Sequence, residues 1–366
     1  MRPHPPTRRI RVAAAIVVVI AACTGDAGPT DPRPEPTASG AAPTVPTTPA
    51  DGGGPAGPVE VPDGAATIEP PGGATLRVRG TYPRVESRCL GAERPTLDAR
   101  YPGSLEVERD DAGRLRLVLT TTFERYLEGI AEVPPSWPRA ALEAQAIAAR
   151  SYALARIGFD GPDGAAVRTP ICATAACQVY RGIPVEPTPG VGRWYGAVRR
   201  TSGRALVSEG RAADAVYFST SNGRTYGNEE VFGSAPLPYL RPTVERHDGA
   251  SPTSRWRVSL AYRDLARFLA ASDLWPEGRP IRRVARRGDA IVVTGGGATR
   301  RIAEDTFRAS VNAWSACLSP GRYPPPARGG GRLPVTVPSR WFTARARSDA
   351  VVLTGRGWGH GAGMVQ

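Results

Sequence analysis

The amino-acid sequence predicts an α+β protein with a mostly antiparallel sheet and a central Ala-rich helix. Residues 104–120 alternate apolar and polar side chains around an Asp-Asp-Ala-Gly turn, which is typical of a β-hairpin. Residues 139–157 have the apolar spacing of a helix, and alternating runs typical of strands recur after residue 205. Separate helical and strand-rich stretches, without an internal repeat, favour an α+β class.

The first 22 residues have the pattern of a signal peptide. Four arginines precede an uninterrupted apolar run over residues 12–22. This run is too short to span a bilayer as a helix, but it has the length of a signal-peptide core. The small residues before Cys23 resemble a bacterial lipobox, which implies cleavage before Cys23 and acylation of its thiol. We therefore expect an exported chain with a lipid anchor on the outer face of the cytoplasmic membrane; the alternative is an ordinary secretory signal.

Residues 23–75 are rich in Pro, Gly, Ala and Thr and contain few large apolar side chains. Such a segment cannot bury enough surface to offset the entropy lost on ordering. We interpret it as a disordered tether between the anchor and a folded domain over residues 76–366.

The chain carries a formal net charge of +13, and every basic residue other than His is Arg. A positive field of this kind favours attraction to anionic cell-wall polymers or lipid headgroups. The sequence shows no basic stripe with interleaved aromatic residues and no nucleic-acid motif. Together with the export signal, this pattern argues against nucleic acid as a partner.

Besides Cys23, the chain has four cysteines: Cys89, Cys172, Cys177 and Cys317. An even number in an exported protein indicates two disulfides. Among the three possible pairings we favour Cys172–Cys177 with Cys89–Cys317. The alternative is a zinc site at Cys172 and Cys177, for which His247 and His360 are the only histidines of the mature chain. We expect no cofactor.

Two helices are predicted after the hairpin. Phe123, Tyr126, Leu127 and Ile130 have the spacing of one face of a short helix that ends before two consecutive prolines. Ser136 is the predicted N-cap of the next helix, with Pro138 in its first turn. The apolar side of that helix is marked by Leu142, Ala146, Ala149 and Ala153.

The second half of the chain alternates predicted strands and helices. Strands are predicted over residues 205–212, 213–219, 255–260 and 290–294, and from residue 351 into the tail. Short helices are predicted over residues 260–271 and 304–313. Glycines stand at alternating positions from residue 355 to residue 363, which weakens a strand unless the backbone must approach another group closely.

Four sequence blocks occur in a fixed order. They are YLEGIAEVPPSWP with ALEAQAIAARSYAL between residues 126 and 154, CATAACQVYRG at 172–182, FSTSNGRT at 218–225, and GRGWGHGAGMVQ at 355–366. Together they resemble the stage II sporulation protein D (amidase enhancer) family over about residues 100–366. The resemblance implies a glycan-binding cleft and action on peptidoglycan glycan strands.

The resemblance further implies a lytic transglycosylase with Glu132 as the catalytic acid. Most glycosidases need two carboxyl groups. A transglycosylase delivers no water, so one carboxyl group can donate a proton and later accept one. Apolar neighbours would favour its protonated form. The rival carboxylates are Glu128, one helical turn earlier, and Glu143; otherwise Glu132 is a surface residue at a helix end.

Further blocks supply candidate substrate-binding residues. They are Arg150, Tyr152, Gln178, Tyr180, Ser219, Ser221, Thr225, Trp358 and His360. Arg150 would bind an acetyl or lactyl oxygen or orient Glu132. Gln178 and Tyr180 would hydrogen-bond to sugar and stack on it, and the Gly-rich tail would form the closing wall of the cleft. For each residue a purely structural role is the alternative, and no His-activated Ser nucleophile is indicated.

The chain departs from the family pattern at Val133, Asn222, Phe232 and Val365, and it ends at Gln366 where family members continue. We therefore expect a supporting element to be missing at the C-terminus. A second function class remains open. In it the protein is a non-catalytic module that binds glycan and stimulates a cell-wall N-acetylmuramoyl-L-alanine amidase.

Overall fold

The computed structural model describes residues 15–22, 66–68, 75–81, 96–109, 115–158, 170–174, 176–184, 189–327 and 330–366. The described part contains both helices and mainly antiparallel sheets, so the predicted α+β class is confirmed. It divides into two compact units. The first comprises the described residues up to Ala215, and the second comprises the described residues from Val216 to Gln366.

The first unit contains ten strands and three helices among its described residues. The strands are β1 (Ala15–Ala22), β2 (Ala66–Ile68), β3 (Thr75–Thr81), β4 (Thr96–Pro102), β5 (Ser104–Arg109), β6 (Leu115–Thr122), β7 (Ile171–Cys172), β8 (Ile183–Pro184), β9 (Val207–Ser208) and β10 (Arg211–Ala212). The helices are α1 (Phe123–Glu128), α2 (Arg139–Arg156) and α3 (Val191–Arg200). The strands form sheets in the orders β2-β5-β6-β1-β7, β3-β4-β8 and β10-β9.

The predicted hairpin of the first unit is present. Strands β5 and β6 pair antiparallel from Ser104 opposite Thr120 to Arg109 opposite Leu115, while the turn itself lies outside the described residues. Strand β1, which falls within the predicted signal peptide, pairs antiparallel with β6. The signal peptide stays a prediction, and Cys23 lies outside the described residues, as does most of the predicted tether.

Helix α2 confirms the Ala-rich helix, and its predicted apolar positions are fully buried. Its start differs from the prediction, because Pro138 and not Ser136 occupies the N-cap position. Pro138 has extended backbone angles (φ −54°, ψ 145°), so it lies outside the helix, whose first residue is Arg139. Helix α1 buries Phe123, Tyr126 and Leu127 as predicted and ends at Glu128.

The second unit contains the remaining eight strands and three helices of the described part. The strands are β11 (Tyr217–Phe218), β12 (Trp256–Ala261), β13 (Arg283–Arg287), β14 (Ala290–Gly295), β15 (Ala298–Ala303), β16 (Phe342–Ala346), β17 (Ala350–Gly355) and β18 (Met364–Val365). The helices are α4 (Asn228–Phe232), α5 (Tyr262–Ala271) and α6 (Glu304–Leu318). The strands form sheets in the orders β12-β17-β16, β13-β14-β15 and β11-β18, of which the last is a parallel pair.

The core of the second unit is aromatic and aliphatic. Helices α5 and α6 bury Phe268 and Phe307 against the inward side chains of β12, β14 and β17. Strand β12 alternates buried and exposed positions, which is the period-2 pattern expected of a sheet with one buried face. Among the described residues, no helix is both long enough and apolar enough to cross a membrane.

Candidate active site

Glu132 directly follows a short two-stranded pairing in the first unit. Gly129 ends helix α1, and the chain then runs antiparallel to the segment around Tyr180. The Ala131 N–H donates to the Val179 carbonyl at 2.9 Å, and the Arg181 N–H donates to the Gly129 carbonyl at 3.0 Å. This pairing fixes the backbone on which Glu132 sits. Glu132 is therefore not on a helix face, and it does not share one with Glu128.

The Glu132 side chain is half-buried. Its Oε1 atom accepts a hydrogen bond of 2.7 Å from the Val179 backbone N–H. Burial raises the pKa of Tyr126 and of Tyr152, and the negative charge of Glu132 adds to both shifts. The carboxylate thus lies near two phenols that stay protonated at neutral pH.

The side chains of Gln178 and Tyr180 are buried next to this site and are not exposed at its surface. The Tyr126 hydroxyl donates to Gln178 Oε1 at 2.7 Å, and Gln178 Nε2 donates to the Ala149 carbonyl at 3.1 Å. The Tyr180 ring stacks on that of Tyr126 with centroids 5.3 Å apart. Both side chains are buried, so the structure assigns them to holding the Val179 segment, in contrast to the predicted sugar contacts.

The segment that carries Val179 is closed by a disulfide between Cys172 and Cys177, whose Cα atoms are 5.5 Å apart. The predicted local pair is thereby confirmed. Cys317 is also disulfide-bonded, while Cys89 lies outside the described residues, so the second predicted pairing stays a prediction. Within the described ranges, no group of three or more His, Cys, Asp or Glu side chains could hold a metal ion.

Arg150 is a buried structural residue. Its Nε and Nη2 donate to the two carboxylate oxygens of Glu124 at 3.2 and 2.9 Å. The remaining N–H groups reach Thr201 Oγ1 and the carbonyls of Arg204 and Val198 at 3.1–3.3 Å. Since a guanidinium has five N–H donors, no donor is left for a sugar oxygen or for Glu132. This arrangement corrects the predicted ligand role of Arg150.

The two rival carboxylates are engaged in ion pairs. Glu128 pairs with Arg125 at 2.9 Å, one turn earlier on α1. Glu143 pairs with Arg139 at 2.7 Å and with Arg200 at 2.6 Å. Neither carboxylate accompanies Glu132 on the pairing with the Val179 segment.

Asp214 is a further carboxylate of the first unit, and it lies outside the sequence blocks that predicted site residues. Burial raises the pKa of its carboxyl group, and its Oδ2 lies 3.4 Å from Arg156 Nη2. The Arg156 guanidinium also lies 5.0 Å above the Tyr152 ring, which is buried. Asp214 stands within a run of small residues that predicts only a strand, so its partner on α2 could not be inferred from the sequence.

The block FSTSNGRT (residues 218–225), here called the hydroxyl block, belongs to the second unit, and its side chains hold a turn. Ser221 Oγ accepts the Gly223 N–H at 2.9 Å, and Thr225 Oγ1 accepts the Thr243 N–H at 2.9 Å. Ser219 Oγ lies 3.2 Å from Thr220 Oγ1. Ser221 and Thr225 are buried, whereas Ser219 is half-buried. Of the three predicted ligands, Ser219 is thus the most accessible.

The Gly-rich tail pairs with the same block. The Trp358 N–H and carbonyl bond to the Thr220 carbonyl and N–H at 2.8 and 3.0 Å. His360 Nε2 bonds to the Tyr217 carbonyl at 2.9 Å, and its Nδ1 accepts the Ala362 N–H at 3.2 Å. Burial lowers the pKa of His360 to about 4, so the ring is neutral at physiological pH. His360 therefore fastens the tail, while Trp358 remains half-exposed.

Close approach explains the tail's glycines. Gly363 has φ +82°, and a Cβ there would lie 2.1 Å from the Val216 carbonyl oxygen. A side chain would break the hydrogen bond from the Met364 N–H to that same carbonyl. A Cβ at Gly359 would likewise lie 2.7 Å from Phe218 Cβ, so these two glycines allow the tail to approach β11 and the residue before it.

Residues 111–207 match the family model of the stage II sporulation protein, SpoIID. The amidase enhancer of Bacillus subtilis (strain 168) is 32% identical over 134 residues, 37% of this chain and 16% of that protein. Stage II sporulation protein D of the same organism is 26% identical over 310 residues, 80% of this chain and 79% of that protein. An uncharacterized protein of Brachyspira hyodysenteriae is 30% identical over 250 residues, 67% of this chain and 59% of that protein.

The predicted resemblance to the stage II sporulation protein D family is confirmed, and the family model covers the first two of the four sequence blocks. The family model covers Glu132, Arg150, Gln178 and Tyr180, all in the first unit. The chain spans 16% of the amidase enhancer's length and 59% of the Brachyspira protein's length. The predicted ligands Ser219, Ser221, Thr225, Trp358 and His360 belong to the second unit.

Proposed function

We propose that this protein takes part in remodelling the bacterial cell wall by cleaving peptidoglycan glycan strands. The observation that carries the proposal is the half-buried Glu132 carboxylate, held through Oε1 by the Val179 N–H at 2.7 Å. The relatives named stage II sporulation protein D and amidase enhancer support an involvement with the cell wall.

The proposed reaction is of the lytic transglycosylase type and uses Glu132 twice. Protonated Glu132 first donates its proton to the glycosidic oxygen, and the bond from that oxygen to the sugar's anomeric carbon breaks. The C6 hydroxyl of the same sugar then bonds to that carbon, directly or after participation of the N-acetyl group. Its proton passes to the Glu132 carboxylate. The products are a shortened strand and an anhydro-sugar end, and no water is consumed.

The surroundings of Glu132 suit both halves of this cycle. The Val179 N–H stabilises the carboxylate that exists after proton donation, because a charged acceptor strengthens the hydrogen bond. The Val179 N–H also orients the carboxyl group, and the disulfide between Cys172 and Cys177 closes the segment that carries this N–H. A fixed acid is effective because the proton must be transferred within hydrogen-bond distance of the leaving oxygen.

The second candidate is a non-catalytic module that binds glycan and stimulates a cell-wall amidase. It is favoured by the name of the Bacillus subtilis relative, an amidase enhancer. In this case half-exposed groups such as Trp358 and Ser219 would contact sugar, and Glu132 would be a structural hydrogen-bond acceptor. In both cases we propose export and anchoring through Cys23.

The two candidates are separated by the products formed from purified glycan strands. The enzymatic proposal predicts that the chain alone releases fragments with anhydro ends, identified by mass spectrometry. Release of no fragments, combined with faster peptide removal when an N-acetylmuramoyl-L-alanine amidase is added, would support the enhancer.

A further inference from the structure

The second unit contains a cavity of about 260 Å³ that no step of the proposed reaction uses. One side is formed by Ser221–Gly223 of the hydroxyl block. The rest of the lining consists of Glu245, Arg246, Asp248, Gly249, Ser254, Arg255 and Arg356. The cavity is slightly smaller than sites for drug-sized ligands, so it suits one sugar-sized unit.

Three arginines reach this cavity from separate parts of the chain: Arg246, Arg255 and Arg356. All three are exposed, and none has a side-chain ion pair or hydrogen bond with a described residue. In the same unit, Arg241 and Arg286 are paired with Glu229 and Glu304 at 2.5 Å. The cavity therefore gathers three guanidinium groups that form no ion pair with a described residue, beside two lining carboxylates, so its positive groups outnumber its negative ones.

Two of these arginines adjoin the end of one strand pair. Strands β12 and β17 pair antiparallel, and their pairing ends with Trp256 opposite Gly355. Arg255 and Arg356 are the adjoining residues of the two chain segments, and both line the cavity. An anion bound in the cavity would lie near both positive charges.

The two carboxylates of the cavity are engaged by backbone groups. Asp248 Oδ2 accepts the Ser221 N–H at 2.5 Å, and Glu245 Oε1 accepts the His247 N–H at 2.6 Å. They hold the loops that form the cavity and do not pair with the arginines. At Gly223, moreover, no atom lies within 4 Å of the position that a Cβ would take, so the backbone there faces open space.

We infer that this cavity binds one carboxylate or phosphate group carried on a sugar-sized unit. Guanidinium groups recognise both oxyanions through paired N–H donors. The inference rests on the proposed function only for the polymer that carries the group: an acidic sugar of the glycan strand, or a phosphate-bearing wall polymer. Anion binding itself requires no catalysis.

The test is calorimetric titration of the full chain with three small probes. N-acetylmuramic acid carries a carboxylate, its parent N-acetylglucosamine is neutral, and glycerol 3-phosphate carries a phosphate. We expect at least one acidic probe to bind at millimolar concentration or better, more tightly than the neutral sugar and more weakly at high salt. Tighter binding of N-acetylmuramic acid would indicate a carboxylate of the glycan strand as the ligand, and tighter binding of glycerol 3-phosphate would indicate a phosphate-bearing wall polymer.

Arg255→Gln combined with Arg356→Gln should weaken binding of the acidic probe about tenfold or more, since a hydrogen bond to a charged group is worth roughly 1.5–3 kcal/mol. Arg345→Gln, at an exposed arginine of β16 outside the cavity, should leave binding unchanged. Equal affinity for the acidic and neutral sugars, no binding of either acid, or full binding by the double variant would overturn the inference. The same titration in Glu132→Gln separates it from the proposed function, because that variant should still bind the probe.

Discussion

Arg150 and Glu132 have contrasting environments within the first unit. Arg150 is 1% exposed, and all its donors are used by protein groups. Glu132 is half-buried and is held by one backbone N–H. A buried, fully bonded guanidinium ties elements together, whereas a partly accessible carboxylate can reach a ligand. These environments assign Arg150 to stability and leave Glu132 as the reactive candidate.

Arg150→Gln should therefore destabilise the protein by at least about 2 kcal/mol, since it leaves buried carbonyls and Glu124 without their donor. The side chain of Glu124 is 41% exposed, so water offsets part of this loss. The measurement is urea unfolding followed by circular dichroism.

Arg139→Gln is the matched control for this substitution. Arg139 lies on the same helix, its side chain is 70% exposed, and it pairs with Glu143. Its loss should change the free energy of unfolding by less than about 1 kcal/mol. If Arg150→Gln unfolded like the wild type but lost glycan binding, the ligand role predicted from the sequence would be restored.

At the scale of elements, the pairing of residues 129–131 with residues 179–181 builds the candidate site. Gly129 is essential to it, because a Cβ at this position would lie 2.3 Å from the Tyr180 ring. That ring stacks on Tyr126, whose hydroxyl binds Gln178. Displacing the ring would move the whole Val179 segment.

Gly129→Ala should cost about 1–3 kcal/mol of stability through overpacking and should also lower glycan cleavage. The measurements are thermal unfolding and the anhydro-end assay on the same preparation. A stable and fully active variant would show that the Tyr180 stack does not position Glu132.

Gly192→Ala, a substitution in the same unit, should have the opposite effect on stability. Gly192 lies in helix α3, and its Cβ would have no heavy atom within 4 Å. Alanine favours the helix by up to about 1 kcal/mol over glycine. This variant should be slightly more stable than the wild type and equally active.

Elements with strong local signals were predicted correctly. The β5–β6 hairpin and helix α2 follow from side-chain periodicity alone, because the apolar face of each is set by nearby residues. The Ser136 N-cap was wrong because Pro138 stays extended. The Val179 N–H that binds Glu132 has no side-chain signature, so a sequence pattern could not reveal it.

At the scale of the whole molecule, the predicted site residues fall into two compact units. The order of the sequence blocks indicates the resemblance to the family, but it carries no information on how the chain is divided into units. The order of the blocks therefore does not imply that the predicted ligands around Ser221 and His360 share one site with Glu132. The sequence predicted the residue types and the α+β class. It could not predict that Arg150 is buried, because burial depends on tertiary packing, and burial is what distinguishes a structural arginine from one that binds a ligand.

Stability should depend on pH through Glu304, which is 3% exposed at the start of α6. Burial raises its pKa from 4.5 to about 7, although Arg286 and Arg340 oppose the shift. Between these two values the folded state retains a proton that the unfolded state has released. The free energy of unfolding should therefore fall as pH rises from 4.5 to 7, by about 3 kcal/mol at most.

Glu304→Gln should flatten this part of the stability profile, because glutamine does not titrate. Urea unfolding at several pH values between 4.5 and 8 measures the slope. Glu277→Gln, at an exposed carboxylate that is not among the charges acting on Glu304, should leave the slope nearly unchanged. An identical slope in the wild type and Glu304→Gln would contradict the assigned titration.

The central claim is that Glu132 is the acid and base of glycan cleavage. The most direct measurement compares the release of anhydro-ended fragments by the wild type, Glu132→Gln and Glu128→Gln, each shown to be folded by thermal unfolding. Glu128, four residues earlier, pairs with Arg125 and serves as the matched control. We predict that Glu132→Gln lowers the rate about a hundredfold or more while Glu128→Gln stays close to the wild type. Full activity of Glu132→Gln, or no release by the wild type, would contradict the claim.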